Sequence, residues 1–119
     1  MISDERFRKK EHLLKSKDFS KVYKKGVAAR ADGVILYSLA NTLEHNRLGF
    51  SIGSKNIKRA TSRNRIRRLL KEVYRKLKGR LKNGFDIVIV VRKDISAAIS
   101  RDSAETALLK LAKEARLTA

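Results

Sequence analysis

Seven residues in one short stretch could act on a polyanion: Arg63, Asn64, Arg65, Arg67, Arg68 and Lys71, with Arg59 just upstream. Guanidinium groups present planar forks that meet phosphate oxygens two at a time and stack on bases, while the Asn64 amide both donates and accepts. Between Lys55 and Lys82 only Glu72 is acidic, so these cations are not arranged as ion pairs within a helix. A rigid row of like charges costs stability, and phosphates remove that cost by releasing condensed counterions when they bind. Groups that could break bonds are missing beside them. His12 lies in a charged approach and His45 in a polar loop, both expected on the surface. Asp86 and Asp94 stand at opposite ends of one predicted strand, too far apart to share a metal, and Asp102 with Glu105 reads as a helix cap. The chemistry expected of the chain is binding.

The cations need a rod to carry them. From Thr61 or Ser62 to about Lys78, Ile66, Leu69, Leu70, Val73 and Leu77 recur at helical spacing, an apolar stripe that must face a core. At 100° per residue Asn64, Arg68, Lys71 and Arg75 fall opposite that stripe, with Arg65 and Arg67 on its flanks. A shorter amphipathic helix is expected over about 17–25, with Ser16 as N-cap, Phe19, Val22 and Tyr23 on one side, and Gly26 at the C′ position. Val34–Ala40 and the alternating Leu48, Phe50 and Ile52 read as two antiparallel strands joined by an exposed loop, 41–46. Phe85–Val91 is apolar almost throughout, as a central strand covered on both faces would be. A last helix follows from Asp102.

The 119 residues suit one domain, 1–119, with 1–11 read as a mobile basic arm. Lys and Arg number 30 against 12 acidic residues, and the resulting charge of +18 calls for a polyanionic partner, nucleic acid first. There is no cysteine, which removes disulfides and thiolate metal sites. No apolar run approaches the roughly 20 residues of a membrane span, and the N-terminus does not read as a secretory signal, so a cytoplasmic protein is expected. A basic amphipathic helix lying on a membrane is ruled out because the leucine stripe is needed by the sheet. A small structural RNA-binding protein of ribosomal type remains an alternative on these grounds.

The order of motifs narrows the choice. Arg47-Leu48-Gly49-Phe50-Ser51-Ile52, then Lys55-Asn56-Ile57-Lys58-Arg59-Ala60, then Arg63-Asn64-Arg65-Ile66-Arg67-Arg68-Leu69 resembles the bacterial ribonuclease P protein subunit. Lys15 to Gly26 is similar to that family's first helix and Val34-Ile35-Leu36-Tyr37 to its strand, so the resemblance runs from about Leu13 to Arg92. The sequence departs from the commonest pattern at Ser54, where a lysine often stands, and at Lys58-Arg59, where some members carry Gly-Asn.

The resemblance implies an α+β fold, an α/β sandwich in the order αβββαβα, with an additional strand near 27–31 that periodicity does not reveal. It also implies a left-handed βαβ crossover, against the roughly 98% right-handed rule. It implies a division of labour: a catalytic RNA subunit cleaves the 5′ leader from precursor tRNA, and the protein assists without catalysing. Arg59, Arg63, Asn64, Arg65, Arg67, Arg68 and Lys71 would bind the catalytic RNA; Lys15, Phe19, Tyr23 and Tyr37 would bind the leader, because aromatic platforms beside cations hold single strands of any sequence. Mg2+ would be held mainly by the RNA, with none bound tightly by the protein, and no obligate protein partner is expected.

Overall fold

The computed structural model describes residues 8–31 and 33–118. The apolar strand expected at the centre is there. Strand β4, Phe85–Val91, is buried along six of its seven residues and lies between β2, Val34–Ala40, and β3, Arg47–Ser51. With β1, Val27–Ala31, the sheet order is β1-β2-β4-β3. β2 is antiparallel to both its neighbours, and β3 is parallel to β4. The strands expected to pair directly, β2 and β3, run in opposite directions but are separated by β4. The strand that is apolar on both sides gains most from the doubly covered position, so it displaces β3, which carries Arg47 and Ser51, to the edge.

Helices cover both faces. Period-two alternation sends Leu36, Ile87, Ile89 and Val91 to one side, where they pack with Ile66, Leu70, Val73 and Leu77 of α2, Ala60–Leu77, and Leu108 and Leu111 of α3, Arg101–Glu114. Ile35, Val88 and Val90 point to the other side, where Leu13 and Val22 of the first-helix region complete a smaller core. The first helix, α1, spans Ser16–Lys25. Element order is therefore αβββαβα, with β3, α2 and β4 forming the parallel crossover unit.

Four details differ from the expectation. Ser16 is the first helical residue of α1 and Lys15 its N-cap. Gly26 caps that helix in an extended conformation (φ −81°) rather than a left-handed one; its small size matters because a Cβ would stand 2.5 Å from the Val22 carbonyl oxygen and 2.7 Å from that of Ser38. α3 is capped by Ser100, whose side chain accepts from the Ser103 N–H, so Asp102 sits inside the first turn instead of starting it. Residues 1–7 of the expected arm lie outside the described residues, but Lys9–Glu11 is a 3-10 turn whose Glu11 carboxylate accepts from Lys78 Nζ at 3.0 Å. That end of the arm is part of the fold.

Candidate nucleic-acid interface

On the α1 face the strand register builds three cross-strand rows: Leu39, Asp86 and Arg47; Tyr37, Val88 and Gly49; Ile35, Val90 and Ser51. In the first row Arg47 donates to both Asp86 carboxylate oxygens at 2.8 and 2.7 Å and reaches Asp18 of α1 at 3.6 Å; Asn41 donates to the same carboxylate at 2.9 Å. Burial by itself would raise the Asp86 pKa, but the hydrogen bonds from Arg47 and Asn41 outweigh it and hold the carboxyl below its ordinary value. The row ties α1 to the sheet.

In the second row the absent side chain of Gly49 admits the Phe19 ring, which rests against the strand backbone. Phe19 meets Tyr23 one turn on, ring centroids 6.4 Å apart, and Tyr23 meets Tyr37 edge to face at 5.1 Å. Such tilted pairs are favourable and hold each ring in a fixed orientation. Val90 and Ser51 of the third row lie in an open cleft of about 560 Å3, lined also by Tyr23, Tyr37, Lys55, Asn56 and Arg92. A strip of aromatic surface thus borders two cations and an amide.

Phe19, Tyr23 and Tyr37, which the resemblance assigns to one surface, stand in ring contact in series. Lys15 is not part of the cleft lining; it caps α1 two turns before Tyr23, on the same helical stripe. Sequence reasoning left Lys55, Asn56 and Arg92 unassigned, although strand parity puts Arg92 on the same side as Val88 and Val90.

The cations of α2 do not form a single ridge. Arg63 donates to the main-chain carbonyls of Ile57 and Lys58 at 2.8 and 3.0 Å, fastening the loop that carries Lys55 and Asn56. Arg67 donates to the Asn64 side-chain oxygen at 3.2 Å, and Lys71 follows on that flank, half-buried. Arg65 leans the other way, donating to Ser96 O at 2.9 Å and Ile99 O at 3.4 Å in the loop before α3. With Arg68 it borders an open cavity of about 320 Å3 between α2 and α3. Arg59, the α2 N-cap, is exposed. Arg75, expected on the outer face, is bound to Glu72 at 2.7 Å, and that hydrogen bond holds the Glu72 carboxyl below its usual range.

Both histidines are half-buried. A His45 ring nitrogen lies 3.1 Å from the Lys10 carbonyl, and His12 bridges to Leu48 of β3 through its backbone. Among the described residues no three His, Cys, Asp or Glu side chains gather as a metal site would require, and no helix is long and apolar enough to cross a membrane.

Comparison with known proteins gives one answer. The family model Ribonuclease P matches residues 7–116. The ribonuclease P protein component of Alkaliphilus metalliredigens is 37% identical over 105 residues, covering 88% of this chain and 93% of the relative. That of Thermoanaerobacter sp. strain X514 is 43% identical over 91 residues, 76% of this chain and 78% of its own length. Among solved structures, the Staphylococcus aureus RNase P protein superposes with a TM-score of 0.80 at 25% identity over 92% of this chain and 98% of that one. The Thermotoga maritima RNase P protein does so at 0.77 and 30% identity, over 87% and 96%.

Proposed function

The chain belongs to the ribonuclease P protein family, and from that membership we propose that it binds a catalytic RNA subunit and the single-stranded 5′ leader of precursor tRNA. Its setting is tRNA processing by a ribonucleoprotein. In the proposed division of labour the RNA subunit cuts the phosphodiester bond in the cytoplasm, with Mg2+ held mainly by RNA phosphates, and the protein supplies affinity for the uncut substrate.

The observation that carries this reading is the cleft between α1 and the sheet. Tyr23 and Tyr37 offer stacking faces and Lys55 and Arg92 offer charge, in one open groove of about 560 Å3. Stacking on aromatic rings is worth about 1–3 kcal/mol per base and does not depend on which base is stacked. A groove of this kind suits a partner that varies in sequence, as leaders of different precursors do. The cations of α2 (Arg67, Arg68 and Lys71 with Asn64), with Arg59 at its cap, form the dock for the folded RNA, where phosphate contacts position without reading sequence.

Reconstitution tests the reading. The chain, added to a bacterial ribonuclease P RNA at low magnesium, should restore cleavage of a precursor tRNA at the mature 5′ end. A lack of stimulation, with the RNA shown to be active at high magnesium, refutes it.

A further inference from the structure

We propose that the groove between α2 and the first turn of α3 carries the α2 dock onto a second helix as a seat for an RNA backbone, with Arg101 as its distinguishing residue. Arg65 and Arg68 come from α2 and Arg101 from α3, and together they border the cavity of about 320 Å3 with Leu69 and Glu72. A second cavity of about 160 Å3 adjoins it, sharing Glu72 and Arg101 and adding Lys76, Arg80 and Glu105. The two together make an open groove bordered by five cations and two carboxylates, and Glu72 is already engaged by Arg75. α2 and α3 pack on the sheet face opposite α1, so this groove is distinct from the aromatic cleft.

Two features of local chemistry point to an anionic occupant. Arg101 is the first residue of α3. The partial positive charge of a helix N-terminus makes that turn favour anions and disfavour cations. Asp102 in the same turn and Glu72 across the groove supply negative charge, but Glu72 is bonded to Arg75 and the groove keeps five cations against two carboxylates, so a further anion is favoured beside Arg101. Arg65 is held in place by its bonds to Ser96 O and Ile99 O, which leave its other terminal nitrogen available. A guanidinium fixed beforehand loses less freedom when it takes a phosphate oxygen. Successive guanidinium forks along a groove match the repeated oxygens of a phosphodiester chain, and RNA is the occupant this arrangement fits.

The inference rests on the proposed function for the identity of the RNA, and the test separates the two. Affinity of the full-length protein for the catalytic RNA is measured over a range of salt concentrations for wild type, Arg101→Ala, Arg101→Lys and Arg67→Ala, with circular dichroism confirming the fold of each. Arg101→Ala should bind about 3–10-fold more weakly and lower the salt slope by about one, while Arg101→Lys keeps most of the slope. Wild-type affinity and slope in Arg101→Ala, alongside a loss in Arg67→Ala, overturn the groove and leave the functional reading in place. If wild type fails to bind the catalytic RNA but binds a generic RNA duplex with an Arg101-dependent slope, the functional reading falls and the groove stands. Competition by polyglutamate as strong as by RNA of equal charge overturns the groove as an RNA seat and assigns it to an acidic protein.

Discussion

The Phe19 ring lies directly against the backbone of Gly49, where a Cβ would collide with its Cζ. Because that ring is the first of the series that continues through Tyr23 to Tyr37, a methyl group at Gly49 would displace the aromatic strip from its inner end. Gly49→Ala should destabilise the protein by about 1–3 kcal/mol, the usual cost of overpacking. It should also weaken binding of a precursor tRNA more than that of the mature tRNA. Urea unfolding and paired affinity measurements check the two effects, and equal losses for both RNAs would separate Gly49 from leader binding.

Tyr23 allows a cleaner test of stacking, because it is 39% exposed and contributes less to the core than Phe19. Tyr23→Ala should cost about 1–3 kcal/mol of precursor affinity, the worth of one stacked base, with little change in the unfolding midpoint. Tyr23→Phe retains the ring face and should bind nearly as wild type. Shortening the leader should erase the difference between Tyr23→Ala and wild type.

Much of this site is readable along the chain, and what is not depends on neighbours distant in sequence. The α2 stripe and the central place of β4 follow from apolar spacing, since Ile66, Leu70, Val73 and Leu77 can be buried together only on one side of a helix. β1 carries no such signal: Val27-Ala28-Ala29-Arg30-Ala31 has small side chains and one cation, and it becomes a strand through pairing, Ala29 opposite Leu36 and Arg30 opposite Ile35. Separation of Arg63 from Arg65 is equally hidden. Helical geometry places them on different sides, but the carbonyls that fix them, Ile57 and Lys58 for one, Ser96 and Ile99 for the other, belong to loops whose course the local sequence does not determine.

The Arg47–Asp86 pair predicts an acid sensitivity. The folded-state pKa of Asp86 is depressed, so its contribution is fully present above the unfolded value of about 4 and is lost as pH falls through the lower folded value. Stability should decline below about pH 4 in wild type, and Asp86→Asn should flatten that decline while lowering stability at neutral pH. Arg47→Ala should cost about 2–3 kcal/mol, less than the ~3–5 of a fully buried pair, because the Arg47 side chain is 26% exposed. Thermal unfolding from pH 3 to 7 checks both variants.

Arg63 predicts a coupling between the two RNA-binding surfaces. Its guanidinium donates to the carbonyls of Ile57 and Lys58, immediately after the Lys55 and Asn56 that line the aromatic cleft. Removing it releases the loop and allows those two side chains to disperse, whereas Arg68, on the exposed side of α2, has no such link to the cleft. Arg68→Ala should therefore lower the salt slope for the catalytic RNA by about one and leave leader-dependent affinity unchanged. Arg63→Ala should weaken both, and Arg63→Lys should recover only part of the leader effect: one terminal nitrogen of Arg63 donates to both carbonyls, and an ammonium has donors enough to replace it but sits on a side chain one atom shorter. Affinities for precursor tRNA with long and truncated leaders, measured for all three variants in the reconstituted holoenzyme, decide the matter: a leader-independent loss in Arg63→Ala would show that Arg63 acts on the catalytic RNA alone.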